Sequence, residues 1–134
     1  MGRLGRPPPV NMTITSTCHG NMTVVTLHGR LTGAAERTRL VDWLHDAPPP
    51  TQPRIVVDLE DVTGVTRRGA EALLDAYVTT TLRRGTLALT GVGAHTRTTL
   101  DQFGVLDVIA VVAHDVVATA MATSHGRHSE GRLM

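Results

Sequence analysis

The residues best suited to binding chemistry are two adjacent arginines, Arg67 and Arg68, at the start of a predicted helix. The unpaired N–H groups of a first helical turn carry partial positive charge and favour anions, so two cations there oppose the helix dipole. Guanidinium groups in such a place suit a carboxylate or a phosphate. Because a local electrostatic rule is broken at a strand-to-helix junction, we expect the functional surface there.

Other chemically capable residues lack the spacing that a site needs. His125 and His128 are three residues apart in a polar tail, which does not place two metal ligands on one helix face. Gly91-Val92-Gly93 lacks the further glycine and the lysine of a phosphate-binding loop. No nucleophile is spaced to meet a general base. We therefore predict no metal site, no cofactor and no enzymatic activity.

Composition limits the remaining function classes. The 134 residues suit one domain, and the net charge is only +1, with arginine as the sole basic residue besides histidine. There is no polybasic tract for nucleic acid, no apolar run long enough to span a bilayer, and no signal-peptide pattern. A single cysteine, Cys18, cannot form an internal disulfide. We expect a cytoplasmic protein that binds neither nucleic acid nor membrane directly.

The elements expected to position the arginines alternate in type along the chain. The predicted domain covers residues 12–123, between a flexible tail at 1–11 and a disordered tail at 124–134. Period-two and helical patterns predict, in order, strands Met12–Thr17 and Met22–Leu27, helix Ala34–His45, strand Arg54–Leu59, helix Arg67–Arg84, strand Thr86–Thr90, helix Ala94–Phe103, strand Val108–Ala113 and helix Asp115–Thr123. The order predicts an α/β fold, a mixed, mostly parallel sheet of about five strands with four helices packed against it.

Local signals refine this outline. The β-branched run Ile55-Val56-Val57 predicts a central strand covered on both faces, and a stiff proline-rich connector, Ala47–Pro53, precedes it. The residues between Asp58 and Thr66 are predicted to form a tight loop, with Thr66 as the N-cap of the next helix. That helix is expected to bury one stripe and to end at a glycine, Gly85. The stripe comprises Leu73, Leu74, Tyr77, Val78 and Leu82.

A receiver-like domain is one alternative for this order of elements. Asp58, at a strand end, would then accept a phosphoryl group, and a second acidic pair after the first strand would hold Mg²⁺. The first strand instead runs into Ser16-Thr17-Cys18-His19. Asp58, Glu60 and Asp61 are better interpreted as a solvated acidic turn.

Several segments together resemble the STAS domain, the fold of bacterial anti-sigma-factor antagonists, from about Met12 to Ala122. Leu27-His28-Gly29-Arg30-Leu31-Thr32 is similar to the family's L-x-G-E-L-D signature, and Ile55-Val56-Val57-Asp58-Leu59 to its V-V-L-D-L strand. Arg83-Arg84-Gly85-Thr86-Leu87-Ala88-Leu89 resembles R-x-x-G-G-x-L-x-L, and residues 99–108 resemble L-x-x-x-G-L-x-x-x-F. The order and spacing of these segments, more than any one of them, carry the resemblance.

The resemblance implies a protein partner and a switch. Such domains dock on an anti-sigma factor of the serine-kinase type, and phosphorylation of a serine in a D-S-S-G motif at a helix start releases that partner. Here the motif reads Thr66-Arg67-Arg68-Gly69, so Arg67 replaces the phosphoacceptor, while Arg30 and Thr32 replace the acidic residues of E-L-D. Thr63 and Thr66 are weak alternative phosphorylation sites, and capping is the better interpretation of Thr66.

Two interpretations of the arginines remain open. In one, the switch is lost and the side chains simply extend into solvent. In the other, Arg30, Arg67 and Arg68 form a cationic rim that receives an acidic partner surface or a phosphate, and partner binding is kept without kinase control. A different class of function, a scaffold or a sensor of a small anionic ligand near Arg67 and Arg68, is the alternative. The predicted partner-binding surface comprises Arg30, Thr32, Asp58, Thr63, Thr66, Arg67, Arg68 and Gly69.

Overall fold

A six-stranded sheet and the helices that cover it form the described part of the chain. The computed structural model describes residues 12–19, 22–46 and 54–118. The strands are β1 (Met12–His19), β2 (Met22–Leu31), β3 (Arg54–Asp58), β4 (Val62–Val65), β5 (Thr86–Thr90) and β6 (Ala110–Val111). The helices are α1 (Ala34–Asp46), α2 (Arg67–Leu82), α3 (Ala94–Gln102), a 3-10 turn at Val105–Asp107, and α4, which is helical over residues 114–118.

The sheet is mixed and mostly parallel, as predicted. Its order is β1-β2-β3-β5-β6, with β4 paired to β2. The β1–β2 hairpin is antiparallel, and the other strand pairs are parallel. The prediction that the strand at residues 54–58 is central is confirmed, because β3 lies between β2 and β5.

Helices cover the two faces of the sheet unequally. One face packs against α1, α2 and α3 in a core that includes Leu27, Leu40, Leu73 and Leu100, all fully buried. The other face carries a small cluster in which Val117 of α4 meets Met22 and Val56. Because β3 contributes to both clusters, its three central residues are all buried, which explains their continuous β-branched run.

Two predictions about strands were wrong. The segment Val62–Val65, predicted as loop, is strand β4, which continues along the edge of β2 where β3 ends. A strand of four residues between turn residues has too short a pattern to be recognised from sequence. The strand predicted at Val108–Ala113 is reduced to Ala110–Val111, because the chain before it forms the 3-10 turn and Val108 is helical in conformation.

The buried face of α2 also differs from the predicted stripe. Leu73 is fully buried, but Val78 and Leu82 are 53% and 79% exposed. The buried positions are mostly small, namely Gly69, Ala70, Ala72, Leu73, Ala76 and Thr80. Small residues let the helix backbone approach both the sheet and α1. The face of α2 that is buried is therefore the one that allows close packing, and not the one with the largest apolar side chains.

The end of α2 uses an arginine where a glycine was predicted. Arg84, and not Gly85, adopts the left-handed conformation, with φ of 59°. Gly85 N donates to Thr80 O and Arg84 N donates to Thr81 O, which is the Schellman arrangement. Arg83 donates from Nη1 to Leu44 O at 2.8 Å, so a cation lies at the last turn of α1.

The remaining predicted elements agree within one or two residues, except that β2 continues to Leu31, four residues beyond its predicted end at Leu27. Helices α1 and α3 and strand β5 lie where the sequence placed them. Gly104 ends α3 with φ of 77°. The last helix begins at residue 114, one residue before Asp115. The connector Ala47–Pro53, the two predicted tails and the end of the last predicted helix lie outside the described residues.

Candidate functional site

The start of α2 is fixed by Thr66, as predicted from its N-cap position. Its Oγ1 accepts from Gly69 N at 3.4 Å and donates to Thr32 O at 2.8 Å. Thr66 N also donates to Leu31 O. One side chain therefore caps the helix and ties it to the residues that follow β2.

Gly69 lets the first turn of α2 cross the end of β2 at very short range. A Cβ atom built at Gly69 would lie 1.9 Å from Leu31 O and 2.7 Å from the Leu31 carbonyl carbon. No side chain fits there without moving the helix. Gly69 corresponds to the glycine of the D-S-S-G motif. The close approach of the two backbones is the physical reason why this position requires glycine.

The end of β2 carries Arg30 on the exposed side of a bulge. Gly29, with φ of 109°, lies where the pairing between β2 and β4 shifts register. Arg30 is exposed and lies over Gly64 of β4, whose Cβ would be 3.7 Å from Arg30 Nε. Thr63 Oγ1 donates to Gly29 O at 3.2 Å, which ties β4 to the same bulge.

Beneath this surface a buried carboxylate joins the starts of two helices. Thr32 Oγ1 donates to Glu36 Oε1 at 3.3 Å, and Glu36 in the first turn of α1 is only 3% exposed. A carboxylate at a helix N-terminus is stabilised by the dipole. Thr32 therefore links the two helix starts. Its hydroxyl donates to Glu36 of α1, and its carbonyl oxygen accepts from the hydroxyl of Thr66, the N-cap of α2.

Arg67 and Arg68 are exposed in that first turn. The guanidinium carbon of Arg67 lies 5.9 Å from the centroid of the Phe103 ring, a cation–π contact with the end of α3. Arg67 and Phe103 line a groove of about 320 Å³ between α2 and α3, with Leu74 at its apolar part. Within the described ranges, no carboxylate forms an ion pair with either arginine. Their charge is thus available to a ligand or partner.

Asp58 lies in a separate cluster from the arginines. Its Oδ1 accepts from Glu60 N at 2.9 Å, and its Oδ2 lies 3.3 Å from His114 Nε2. Glu60 Oε1 lies 3.8 Å from the other ring nitrogen of His114. Gly91 must be glycine here, since a Cβ would lie 2.4 Å from Asp58 Oδ1 and its φ is 66°. The acidic turn is therefore partnered by histidine and not simply solvated.

The predicted surface residues fall into four groups. Thr32, Thr66 and Gly69 are joined by hydrogen bonds or backbone contact at the start of α2. Arg30 and Thr63 lie along the adjoining β2–β4 pair, Arg67 and Arg68 lie in the first turn, and Asp58 faces His114. Sequence reasoning missed Phe103 and Glu36, because neither the contact of the Phe103 ring with Arg67 nor the burial of Glu36 leaves a local pattern.

The chemistry available at this surface is recognition of negative charge. Arg67 beside a partly apolar groove can bind a carboxylate or a phosphate together with a small apolar group, although the carboxylate of Glu71 also lines this groove. Among the described residues, no group of three or more metal-ligating side chains is close enough to hold an ion. No helix in the described ranges has the length and apolarity needed to cross a bilayer.

Solved structures with a similar fold include both regulators and transporter domains. An anti-sigma factor antagonist from Mycobacterium paratuberculosis is 21% identical, with a TM-score of 0.65 over 83% of this chain and 94% of that one. A sulfate transporter family protein from Wolinella succinogenes is 18% identical, with a TM-score of 0.62 over 78% and 84% of the two chains. The murine anion transporter Slc26a9 is 20% identical, with a TM-score of 0.63, over 77% of this chain but only 18% of its own length.

At the sequence level, no curated protein matches the chain significantly. The family model described as "Mlab, STAS domain" matches residues 14–112, which include every strand of the described sheet except the first two residues of β1. With the strand order, the glycine under the start of α2 and the similar folds, this match shows that the chain belongs to the STAS domain family.

Proposed function

We propose that this STAS domain acts as an anti-sigma-factor antagonist that binds an anti-sigma factor of the serine-kinase type in the cytoplasm. Its contact surface is the start of α2 with the adjoining end of β2. The observation that carries the proposal is the pair Arg67 and Arg68, exposed in the first turn without a carboxylate partner among the described residues. The similar fold of an anti-sigma factor antagonist supports the same class of partner.

In this proposal the arginines provide permanent binding without kinase control. An arginine cannot accept a phosphoryl group from a serine kinase, so the partner would not be released by phosphorylation at position 67. The hydroxyl of Thr66 is occupied by hydrogen bonds to Thr32 O and from Gly69 N, which disfavours its use as a substitute acceptor. The hydroxyl of Thr63, which is also exposed, is the other alternative and makes one hydrogen bond, to Gly29 O.

Charge reversal tests the contact surface. We expect Arg67→Glu with Arg68→Glu to weaken binding to a purified kinase-type anti-sigma factor from the same genome by about tenfold or more, which corresponds to roughly 1.4 kcal/mol. Arg39→Glu with Arg97→Glu is the matched control, because both residues are exposed and lie on other helices. Titration calorimetry measures each. Equal binding by the wild type and the first double variant would refute the surface.

Restoring a serine tests the loss of control. With the kinase-type partner and ATP, we expect no phosphate on the wild-type loop peptide by mass spectrometry. Arg67→Ser should gain one phosphate at residue 67 and lose affinity once phosphorylated, because charge is added within the interface. Phosphate at Thr63 or Thr66 of the wild type would show that a switch survives at a neighbouring residue.

The groove beside Arg67 supports a second candidate function, a scaffold or a module that senses a small anionic ligand. Its volume of about 320 Å³ is enough for a small molecule, and Arg67 lies at one side of it. A nucleotide or phosphate that raises the melting temperature in wild type, but not in Arg67→Ala, would favour this candidate. Binding of the anti-sigma factor with no such shift favours the first.

A further inference from the structure

Strand β1 presents an outer edge to which no strand of the described residues is paired. It is the terminal strand of the sheet, and all eight of its residues pair with β2 in unbroken antiparallel register. Edge strands are normally protected by charge, proline, a bulge or short length. Met12–His19 contains no lysine, arginine, acidic residue or proline. By contrast, the opposite edge strand, β6, has only two residues.

Backbone geometry shows which groups of β1 face outward. Gly29 N donates to Asp61 O and Gly29 O accepts from Thr63, so both peptide groups of Gly29 point away from β1. Gly29 lies opposite Met12. Because hydrogen-bonded and non-hydrogen-bonded pairs alternate along an antiparallel ladder, every second residue of β1 directs its N–H and C=O to the outer edge. These residues are Met12, Ile14, Ser16 and Cys18.

We propose that this edge pairs with β1 of a second copy of the chain in an antiparallel two-fold dimer centred on Thr15. In that register Ile14 faces Ser16 of the second copy and Met12 faces Cys18, so all four outward-facing residues form hydrogen-bonded pairs. Moving the axis to Ile14 or Ser16 leaves at least one of them without a partner in the strand. The register on Thr15 therefore makes the most backbone hydrogen bonds.

Side chains favour a second copy over a partner of different sequence. The axis places Thr15 against Thr15 and Thr13 against Thr17 on one face, and threonine pairs across strands are favourable. Both threonines of each pair are exposed in the single chain. A strand without charged residues meets no like charge when it pairs with itself. An isologous contact of this kind closes at two chains, which limits further growth.

Sedimentation equilibrium over a range of concentrations tests the association. We expect the mean mass of the wild type to rise from one chain toward two. Ser16→Pro should be monomeric but still folded, because its missing N–H faces the outer edge and not β2. Thr17→Pro is the matched control, which should lose folded structure by circular dichroism. Thr15→Lys, which opposes two like charges on an exposed face, should also be monomeric.

Cysteine cross-linking tests the register. In the Cys18→Ser background, Thr15→Cys places two cysteines in a non-hydrogen-bonded pair with Cα atoms about 4.5 Å apart, within disulfide range. Ser16→Cys in the same background is the control, since its copies lie diagonally, roughly 7–8 Å apart. We expect an interchain disulfide from the first only. A monomeric wild type, a dimer that Ser16→Pro leaves intact, or cross-linking only through residue 16 would overturn the proposal.

Discussion

Replacing Gly69 by alanine should loosen the start of α2. The new Cβ would lie 1.9 Å from Leu31 O, short of ordinary van der Waals contact at 3.4 Å by about 1.5 Å. The obstacle is backbone, which has no rotamer to change. The helix must therefore shift relative to β2, and the hydrogen bonds of Thr66 to Thr32 O and from Gly69 N must lengthen.

The expected free energy change combines opposing terms. Overpacking of this kind costs about 1–3 kcal/mol, and each weakened hydrogen bond adds about 1 kcal/mol. Alanine returns up to about 1 kcal/mol through its higher helix propensity. We expect a net loss of about 3 kcal/mol, which lowers the melting temperature of a domain of this size by roughly 10 °C.

Thermal and urea unfolding followed by circular dichroism measure this loss. Gly93→Ala is the control, because Gly93 precedes α3 with φ of −71° and nothing lies within 4 Å of its Cβ position. That variant should unfold within about 1 kcal/mol of the wild type, because it meets no steric conflict and loses only the preference for glycine over alanine at the N-cap of α3. If Gly69→Ala unfolded as Gly93→Ala does, α2 would not cross β2 at this distance and the reasoning would be wrong.

Three further predictions concern the helix ends. Thr66→Ala should lower the free energy of unfolding by about 1 kcal/mol or more through loss of the N-cap, whereas Thr66→Ser should retain most of it and exposed Thr63→Ala should change less; urea titration of the three distinguishes them. Arg84→Gly should raise the melting temperature, because φ of 59° costs a non-glycine residue roughly 1 kcal/mol, and an unchanged or lower value by calorimetry would contradict this. Arg83→Ala should destabilise by about 1 kcal/mol through loss of the hydrogen bond to Leu44 O, and equal stability of Arg83→Ala and wild type in urea would count against that contact.

The roles of Thr66 and Gly104 could be interpreted from sequence because each has a local cause. Thr66 caps a helix through its own neighbours, and Gly104 ends one through its own φ. Periodicity likewise located the hairpin, the central strand and three helices, since alternation and helical spacing are properties of consecutive residues. Arg84 shows the limit of such reasoning, because Gly85 was the better local candidate for the left-handed residue.

The sequence alone thus determined the order of elements apart from β4, the central position of β3 and the segment that carries the unusual arginines. Only the tertiary structure decided which of these residues meet. It joined Glu36 to Thr66 through Thr32, placed Phe103 beneath Arg67 and directed Asp58 toward His114. It also made Gly69 indispensable, by bringing the first turn of α2 onto Leu31. These contacts join residues far apart in the chain, and such distances depend on how the helices pack on the sheet, which no local pattern encodes.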